Sequence, residues 1–563
     1  MMQDMSTITA TFEDSKIQIP LGSTVGDALK QFDLEGEMTT DYQANPYVCA
    51  LVNNEVESFS DHLTCDSVIV PIRLFSDIGK RVYRQSICFL LYAAVDKLYP
   101  NRRLVIGFAL GDGYYFTFQD RYIVSKETIA TITKTMRDLS DQHLSIDKVT
   151  VPYDEALSYF KQKKFDETVG LLSTDNEPTV PLYQMDGFRD ISYEPIVPNS
   201  GLITVWELRT YQQNGLLLRY PRSFDFTQLD TFKDNSKLFD ALKHGKENAP
   251  IIQVSSIGDL SLLSYENAIA PFIRLSEEFQ AKHIADIADA ICQRSTVRFV
   301  AIAGPSSSGK TTFAFKLCTQ LQVRGKKTLK ITLDDYYLPP DQCPKDQDGK
   351  PDFERLEALN LPLLQHTLQA IQDGEEVSLP TYDFVQKKTT FGEKIKLDAK
   401  TIVVMEGIHG MNPALTGSLD SDLIFRVYIS AFTQVNIDDH NRISTTDNRI
   451  IRRIVRDHRT RGASAEQTLS MIPSIQRGEN LYIFPYQGNA DMMINSALDY
   501  ELAVLAPFAQ PLLKMVKPSA TVVYVTARRL LKFLDNFQPI PDTLVPSDSL
   551  LREFIGGSEY GVT

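Results

Sequence analysis

Apolar and polar positions alternate in short runs through the first 75 residues. Four such runs predict strands, and Ser23-Thr24 precedes a helical pattern that begins near Val25 with Asp27 in its first turn. The predicted strands cover residues 8–12, 16–19, 47–52 and 67–72. Short strands around one helix are typical of a compact, ubiquitin-like α+β domain, which we assign to residues 1–75.

After residue 76 the predicted helices and strands become longer. Two strands are joined by Gly111-Asp112-Gly113, a strong hairpin signal. Helices are predicted over 82–98, 126–142 and 153–163, and strands over 103–110, 114–118, 202–208 and 215–220. We therefore assign a second α+β domain to residues 76–225 and a mainly helical connector to residues 226–290.

Continuous apolar strands that alternate with helices begin near residue 297. Uninterrupted apolar strands are typical of a parallel sheet that is covered on both faces. They are predicted over 297–303, 328–333, 401–405 and 423–428. The sequence thus predicts a doubly wound α/β domain over 291–500, followed by a helical extension over 501–563.

Composition narrows the classes of protein to consider. The 563 residues include 58 Lys and Arg against 72 Asp and Glu, a net charge of −14 that argues against a mainly electrostatic binder of nucleic acid or anionic membranes. No apolar stretch is long enough to span a membrane, and the first residues lack a secretory pattern. The six cysteines include no CxxC pair. We expect a soluble, cytoplasmic protein.

One complete motif carries the chemistry. Residues 304–311, Gly304-Pro-Ser-Ser-Ser-Gly309-Lys310-Thr311, fit the pattern GxxxxGK(S/T) between an apolar strand and a helix. Its amides can surround phosphates, its lysine reaches the β- and γ-phosphates, and its threonine offers an oxygen to Mg²⁺. The predicted nucleotide-binding residues are Gly304, Pro305, Ser306, Ser307, Ser308, Gly309, Lys310, Thr311 and Thr312.

Two carboxylates stand at the ends of predicted strands. Asp334 follows the strand at 328–333, and Glu406 follows the strand at 401–405. Ligands gather at the carboxyl ends of parallel strands, where one carboxylate can accept a proton from a hydroxyl and the other can lie near Mg²⁺. The alternatives are a turn cap at Asp334 and a solvent-facing Glu406.

Six arginines lie within residues 449–461. Arg449, Arg452, Arg453 and Arg456 fall on one helical face. One interpretation is a lid that closes over a nucleotide and stabilises the transferring phosphoryl group; the other is a solvated helix face that pairs with nearby carboxylates.

Together these landmarks resemble the uridine kinase/phosphoribulokinase family. The resemblance covers about residues 295–500 and includes Asp334-Asp335-Tyr336-Tyr337, the Pro-Thr-Tyr-Asp-Phe segment at 380–384, Met-Glu-Gly-Ile at 405–408 and the arginines up to Arg461. It implies transfer of the γ-phosphoryl group of ATP, with Mg²⁺, to the 5′-hydroxyl of a pyrimidine nucleoside. A sugar phosphate is the alternative acceptor, because the family also includes phosphoribulokinase.

The resemblance also implies a role for each matching residue. The implied catalytic residues are Lys310, Asp334 (the base), Arg456 and Arg461, with Arg453 on the nucleotide and Thr311 and Glu406 on the metal. The implied substrate-binding residues are Tyr337, Glu357, Tyr382, Phe384, Lys387 and His409. Lys387 departs from the family, whose animal members carry a histidine there.

The N-terminal 220 residues resemble the TGS domain and the second additional domain of threonyl-tRNA synthetase. The synthetase edits mischarged tRNA with an HxxxH pair and a Cys/His pair, which align here with Gln85 and Phe89 and with Ser192 and Ile196. Since none of these four can replace the lost groups, we expect neither editing hydrolysis nor a metal in this half. An RNA-linked, nucleotide-sensing protein is the other alternative, and homo-oligomer formation stays open.

Overall fold

The computed structural model describes residues 6–561 except 213, 223–224, 248, 347–348, 384–387, 399 and 418, and it describes no side chains at 244–250. The strands are β1 (Thr7–Phe12), β2 (Ser15–Pro20), β3 (Tyr47–Val52), β4 (Glu55–Glu57), β5 (Ser67–Arg73), β6 (Leu104–Leu110), β7 (Gly113–Phe118), β8 (Asp147–Pro152), β9 (Thr179–Met185), β10 (Phe188–Asp190), β11 (Glu207–Tyr211), β12 (Gly215–Arg219), β13 (Phe299–Ala303), β14 (Lys327–Thr332), β15 (Glu376–Asp383), β16 (Lys388–Lys396), β17 (Thr401–Glu406), β18 (Ile424–Ser430) and β19 (Met492–Asn495).

The α-helices are α1 (Val25–Gln31), α2 (Glu35–Thr39), α3 (Asp77–Leu98), α4 (Lys126–Asp141), α5 (Tyr153–Lys163), α6 (Asp166–Ser173), α7 (Ser236–Glu247), α8 (Ala249–Ile252), α9 (Ile257–Tyr265), α10 (Ile269–Gln293), α11 (Lys310–Val323), α12 (Leu361–Asp373), α13 (Thr445–Arg461), α14 (Ala465–Gly478), α15 (Glu501–Lys514), α16 (Thr521–Leu534) and α17 (Arg552–Ile555).

The first unit is a five-stranded sheet packed on α1, with strand order β2-β1-β5-β3-β4. A capping box fixes the start of α1: the Thr24 side chain accepts from the Asp27 amide, and the Asp27 side chain accepts from the Thr24 amide. Ala10, Ile19 and Leu29 are fully buried between sheet and helix. The four predicted strands and the helix are therefore present, and β4 is added.

The second unit surrounds α3, which is buried over most of its length. Two sheets belong to it, with strand orders β10-β9-β8 and β11-β12-β7-β6. The strand predicted over 202–208 begins five residues late, at Glu207, because Ser200–Leu202 forms a 3₁₀ turn and residues 203–206 are irregular. Strands β8, β9 and β10 were not among the predicted elements.

The third unit is built on a sheet that is parallel throughout, with order β14-β17-β13-β18-β19. Its central strand β13 is fully buried, and separate apolar cores cover the two faces, one with α10 and α11 and the other with α12. The predicted parallel sheet is confirmed. The hairpin of β15 and β16 beside it was not predicted.

The chain beyond residue 500 is packed into the preceding helices. One apolar core joins α9, α13, α15 and α16, and it includes the fully buried Leu551 and Phe554. The predicted boundary at residue 500 therefore falls inside a shared core. Among the described helices, none is both long and apolar enough to cross a membrane.

Candidate active site

The loop between β13 and α11 is shaped by its backbone. A Cβ atom on Gly304 would lie 1.9 Å from the Ile429 carbonyl oxygen, so only glycine fits there. Ser307 and Gly309 have φ values of 60° and 83°, in the left-handed region. These turns bring the loop to the N-terminus of α11, which is an anion-binding arrangement.

Lys310 lies at the first position of α11 and folds back over this loop. Its ammonium group donates to the carbonyl oxygens of Gly304 and Pro305, at 3.1 Å each. Desolvation lowers the pKa of Lys310, while nearby Glu406 and Asp334 act in the opposite direction. The cation is therefore held at the loop, beside two carboxylates.

Thr311 and Glu406 meet at the ends of α11 and β17. The Thr311 hydroxyl lies 3.3 Å from a carboxylate oxygen of Glu406, and the Thr332 hydroxyl lies 3.4 Å from the same oxygen. Burial, with a contribution from Asp334, raises the pKa of Glu406 to about 7. Hydroxyl and carboxylate oxygens are ligands that Mg²⁺ prefers, so this pair fits the predicted ion.

Asp334 follows β14, and its side chain is exposed at the sheet edge that also carries Lys310 and Glu406. We call the space beside these three residues the cleft. Desolvation by the cleft walls raises the pKa of its carboxyl, and Lys310 opposes that shift. The next residue, Asp335, accepts the Tyr382 amide at 3.0 Å and thereby ties the β15–β16 hairpin to β14. The two adjacent aspartates thus separate into one that faces the cleft and one that holds a hairpin.

The arginines of α13 divide into two groups. Arg449 pairs with Glu479 and donates to the Ser306 carbonyl at 3.1 Å. Arg452 is fully buried, pairs with Glu501 and donates to the Ser307 carbonyl at 3.3 Å. These two arginines pair with carboxylates, as the second interpretation expects, but they are buried and not solvated, and they support the phosphate-binding loop.

The other arginines lie nearer the cleft. Arg453 donates to the Ser306 hydroxyl at 2.7 Å. Arg456 pairs with Asp457, and Arg461, with a side chain 59% exposed, lies 3.6 Å from the same carboxylate. Arg456 and Arg461 also oppose, as Lys310 does, the rise that desolvation causes in the pKa of Asp334, so their charges reach this carboxylate.

The described members of the predicted substrate-binding set form two groups, with Tyr337 and Tyr382 near Cys343 and Glu357 near His409. Tyr337 donates to the Phe353 carbonyl at 3.1 Å, and Tyr382 is buried near the C-terminal end of β15. Phe384 and Lys387 lie outside the described residues. Burial lowers the pKa of His409 to about 4, so its imidazole is neutral at pH 7.

Glu357, a predicted substrate-binding residue, lies near His409. It pairs with Arg355 and its side chain is 61% exposed. Glu354, three residues earlier, is the carboxylate near Arg453 and Lys310, and burial raises its pKa to about 7. Sequence reasoning missed Glu354, because no spacing rule singles it out.

Glu553 is a second residue that sequence reasoning missed. Its carboxylate accepts from the Thr312 amide at 3.1 Å and from the Thr312 hydroxyl at 2.9 Å. No motif surrounds it, and it lies 241 residues after its partner.

The aligned positions of the synthetase editing residues border a cleft between α3 and residues 190–197, which we call the second-domain cleft. A loop that precedes α13 fills it. Asn441 accepts from the Gln85 amide at 3.0 Å and donates to the Ile191 carbonyl at 3.1 Å. The His440 ring lies 3.7 Å from the Tyr92 ring and 2.7 Å from an Asp190 oxygen.

Buried ionic and hydrogen-bond contacts hold the same loop against the second unit. Asp439 is fully buried, pairs with Arg103 and accepts from the Thr168 amide at 2.9 Å. Phe89 and Ile196 are themselves buried. The cleft is therefore occupied by residues 438–441 of this chain.

Comparisons with known proteins give different matches for the C-terminal and the N-terminal parts of the chain. Residues 299–503 match the model of the Phosphoribulokinase / Uridine kinase family. The N-terminal region is similar to threonine–tRNA ligases. The ligase of Carboxydothermus hydrogenoformans is 27% identical over 218 residues, 36% of this chain and 34% of that one. The ligase of Francisella tularensis subsp. novicida is 25% identical over 165 residues, 29% of this chain and 26% of that one.

The chain thus spans about a third or less of the length of these curated relatives. Two solved structures resemble it at low overall similarity. A possible uridine kinase from Bacillus stearothermophilus is 17% identical and covers 37% of this chain and 98% of that one, with a TM-score of 0.26. A D-glycerate 3-kinase from Cryptococcus neoformans is 15% identical and covers 36% and 88%, with a TM-score of 0.27.

Proposed function

From the match of residues 299–503 to the phosphoribulokinase/uridine kinase family, we propose that this chain is an ATP-dependent kinase whose acceptor is the 5′-hydroxyl of a pyrimidine nucleoside. One observation carries the proposal. Lys310 lies on the loop carbonyls at 3.1 Å, Glu406 meets Thr311 at 3.3 Å, and Asp334 follows β14 at the same carboxyl edge of the parallel sheet. A cation for phosphates and two carboxylates are the groups that phosphoryl transfer requires.

Nucleotide binding uses the loop and the start of α11. Loop amides and the helix N-terminus bind the phosphates, and Lys310 exchanges its two carbonyl partners for phosphate oxygens. Arg453, which donates to Ser306, lies beside the same loop. Arg449 and Arg452 act indirectly, since they keep the loop in place through its carbonyls.

Thr311 and Glu406 would hold Mg²⁺, because their oxygens converge. When bound, the ion neutralises charge on the phosphates. Glu406 must be ionised to hold a cation, and its pKa of about 7 makes that state dependent on pH near neutrality.

Asp334 takes the proton of the acceptor hydroxyl. It faces the cleft at the end of β14, and its raised pKa suits a group that must accept a proton near pH 7. Arg456 and Arg461 offset the charge that develops on the transferring group, because their charges already reach Asp334.

The test is ADP release by the full chain with Mg·ATP and a panel of acceptors. The panel is uridine, cytidine, adenosine, guanosine and ribulose 5-phosphate, with Lys310→Ala as the blank. We expect stimulation by a pyrimidine nucleoside. Stimulation by the sugar phosphate alone would move the acceptor to the other branch of the family, and no stimulation by any acceptor would reject the kinase proposal.

We also propose that the second unit supports the kinase and does not edit tRNA. The supporting observation is the second-domain cleft, where Asn441, His440 and Asp439 take the available partners. The end of a tRNA would have to displace residues 438–441 to enter this cleft. Retention of tRNA by the full chain that weakens steeply with salt would favour the RNA-linked alternative instead.

A further inference from the structure

The first turn of α11 lacks the usual cap of a helix. Gly309 stands at the N-cap position and has no side chain to accept from the first amides. In a phosphate-binding loop such amides serve the α- and β-phosphates. Thr312, two residues after Lys310, offers its amide and its hydroxyl at this place.

Here a carboxylate of the same chain takes both donors. Glu553 accepts from the Thr312 amide at 3.1 Å and from the Thr312 hydroxyl at 2.9 Å, and only 7% of the residue is exposed. A buried carboxylate on helix amides makes charge-assisted hydrogen bonds, as a phosphate would.

The segment that carries Glu553 is firmly held. Leu550, Leu551 and Phe554 are fully buried, and Arg459 donates to the carbonyl oxygens of Glu553 and Phe554 at 2.9 and 3.2 Å. Nearby, Lys316 binds Asp548 at 2.9 Å. The backbone thus stays in place, and only the Glu553 side chain can leave Thr312.

The charge of Glu553 also reaches the rest of the site. It acts to raise the pKa values of both Lys310 and Glu406. A polyphosphate brought to the same place would meet a like charge and would find the Thr312 donors taken. We infer that Glu553 is a built-in competitor of the nucleotide phosphates, an autoinhibitory carboxylate that ATP or ADP must displace from Thr312. This inference rests on the proposed nucleotide site.

The alternative is that Glu553 only caps α11. The two explanations predict different changes in nucleotide affinity when Glu553 is replaced. Removal of a competitor tightens nucleotide binding, whereas removal of a cap leaves binding unchanged or weakens it, and lowers stability.

The experiment measures Mg·ADP binding to the full chain by titration calorimetry, with thermal unfolding of each protein alongside. Glu553→Gln keeps the size and removes the charge, and it should bind ADP about tenfold more tightly than wild type. Glu559→Gln is the matched control, because Glu559 lies in the same segment and contacts the Ser547 hydroxyl. It should bind ADP as wild type does.

Glu553→Asp provides a second variant should Glu553→Gln fail to fold. It retracts the carboxylate from Thr312 and should tighten ADP binding by a smaller factor. Equal or weaker ADP binding by the folded variants overturns the inference while the proposed function stands. Absence of ADP binding by folded wild type as well as the variants rejects the nucleotide site itself, and the inference with it.

Discussion

The phosphate-binding loop and the second-domain cleft are both lined by polar side chains, yet their polar groups are used differently. In the cleft, Asp439, His440 and Asn441 have partners from the second unit. At the loop, within the described part of the chain, the buried hydroxyl oxygens of Ser307 and Ser308 have no hydrogen-bond partner. Buried polar groups are normally satisfied, so the difference marks the loop as the place where a ligand is expected.

The comparison also separates two kinds of charge. Lys310, Asp334 and Glu406 carry shifted pKa values around a cleft, as functional groups often do. Arg103 and Asp439 pair across an interface and complete the packing of two units. Changes at the loop should therefore affect turnover, and changes at the second-domain cleft should affect stability.

The largest expected effect is at Lys310. Lys310→Ala removes the charge that the start of α11 places on the β- and γ-phosphates, so turnover should fall at least about 10³-fold, with thermal unfolding unchanged. The assay is ADP release with the best acceptor. Lys327→Ala is the matched control, since Lys327 is 72% exposed and pairs with Asp398. Substantial turnover by Lys310→Ala would show that the loop does not bind the transferred phosphate.

Asp334→Asn should come next. Loss of the general base should lower turnover by about 10²–10⁴-fold, while ATP affinity stays within a small factor of wild type. Single-turnover kinetics and calorimetry separate the two quantities. Asp373→Asn, at an exposed position bound by Gln369, is the control. A variant with normal turnover would remove Asp334 from the reaction.

Asp439→Asn tests the second-domain cleft, where we expect an effect on stability. It removes the buried carboxylate that pairs with Arg103 and accepts from Thr168, while Arg103 keeps Asp166 and Glu167 as partners. It should therefore lower the free energy of unfolding by about 2 kcal/mol, as measured by urea titration. Turnover per folded molecule should change little. Asp166→Asn offers a sharp control, because Asp166 binds the same guanidinium but is 77% exposed. A large loss of turnover without loss of stability would mean that the second-domain cleft takes part in the chemistry.

The smallest effect concerns pH. Glu406 has a pKa of about 7 before metal binds, so it loses a proton as the pH rises through neutrality. At low Mg²⁺, turnover should therefore rise about tenfold between pH 6 and pH 8, and higher Mg²⁺ should move the rise to lower pH. Glu406→Gln should remove the part of this rise that shifts with Mg²⁺ concentration, while Asp334 and Glu354, whose pKa values are also raised, keep the remainder. A profile for wild type that is flat over this range would contradict the role of Glu406.

Local patterns predicted the parts of the molecule that neighbours in sequence determine. The phosphate-binding loop, the ends of β14 and β17 and the capping box at Thr24 each depend on residues within a few positions. The strand expected at 202–208 is present only at its last two residues, because the 3₁₀ turn at Ser200–Leu202 and the irregular residues 203–206 precede β11. Strand β8 has only one buried residue among its six, and this weak pattern explains why it was missed.

Long-range pairs could not be read from the sequence. Arg449 and Arg452 share a helical face with Arg453. Unlike Arg453, they are buried in ion pairs with Glu479 and Glu501. Nothing near these arginines in the chain distinguishes a support from a catalytic group. The site roles of Asp334, Arg456 and Arg461 stay predictions until they are measured.

The contact between Thr312 and Glu553 has a consequence for biosynthesis. The two residues are 241 positions apart, so a ribosome needs about 10–50 s to reach the second after the first. During that interval the phosphate-binding loop has been made and its carboxylate partner has not. The parallel sheet is complete only once β19 has been made, and β19 ends 58 residues before Glu553, so a loop on a finished sheet can meet a nucleotide for about 3–12 s before the competing anion exists.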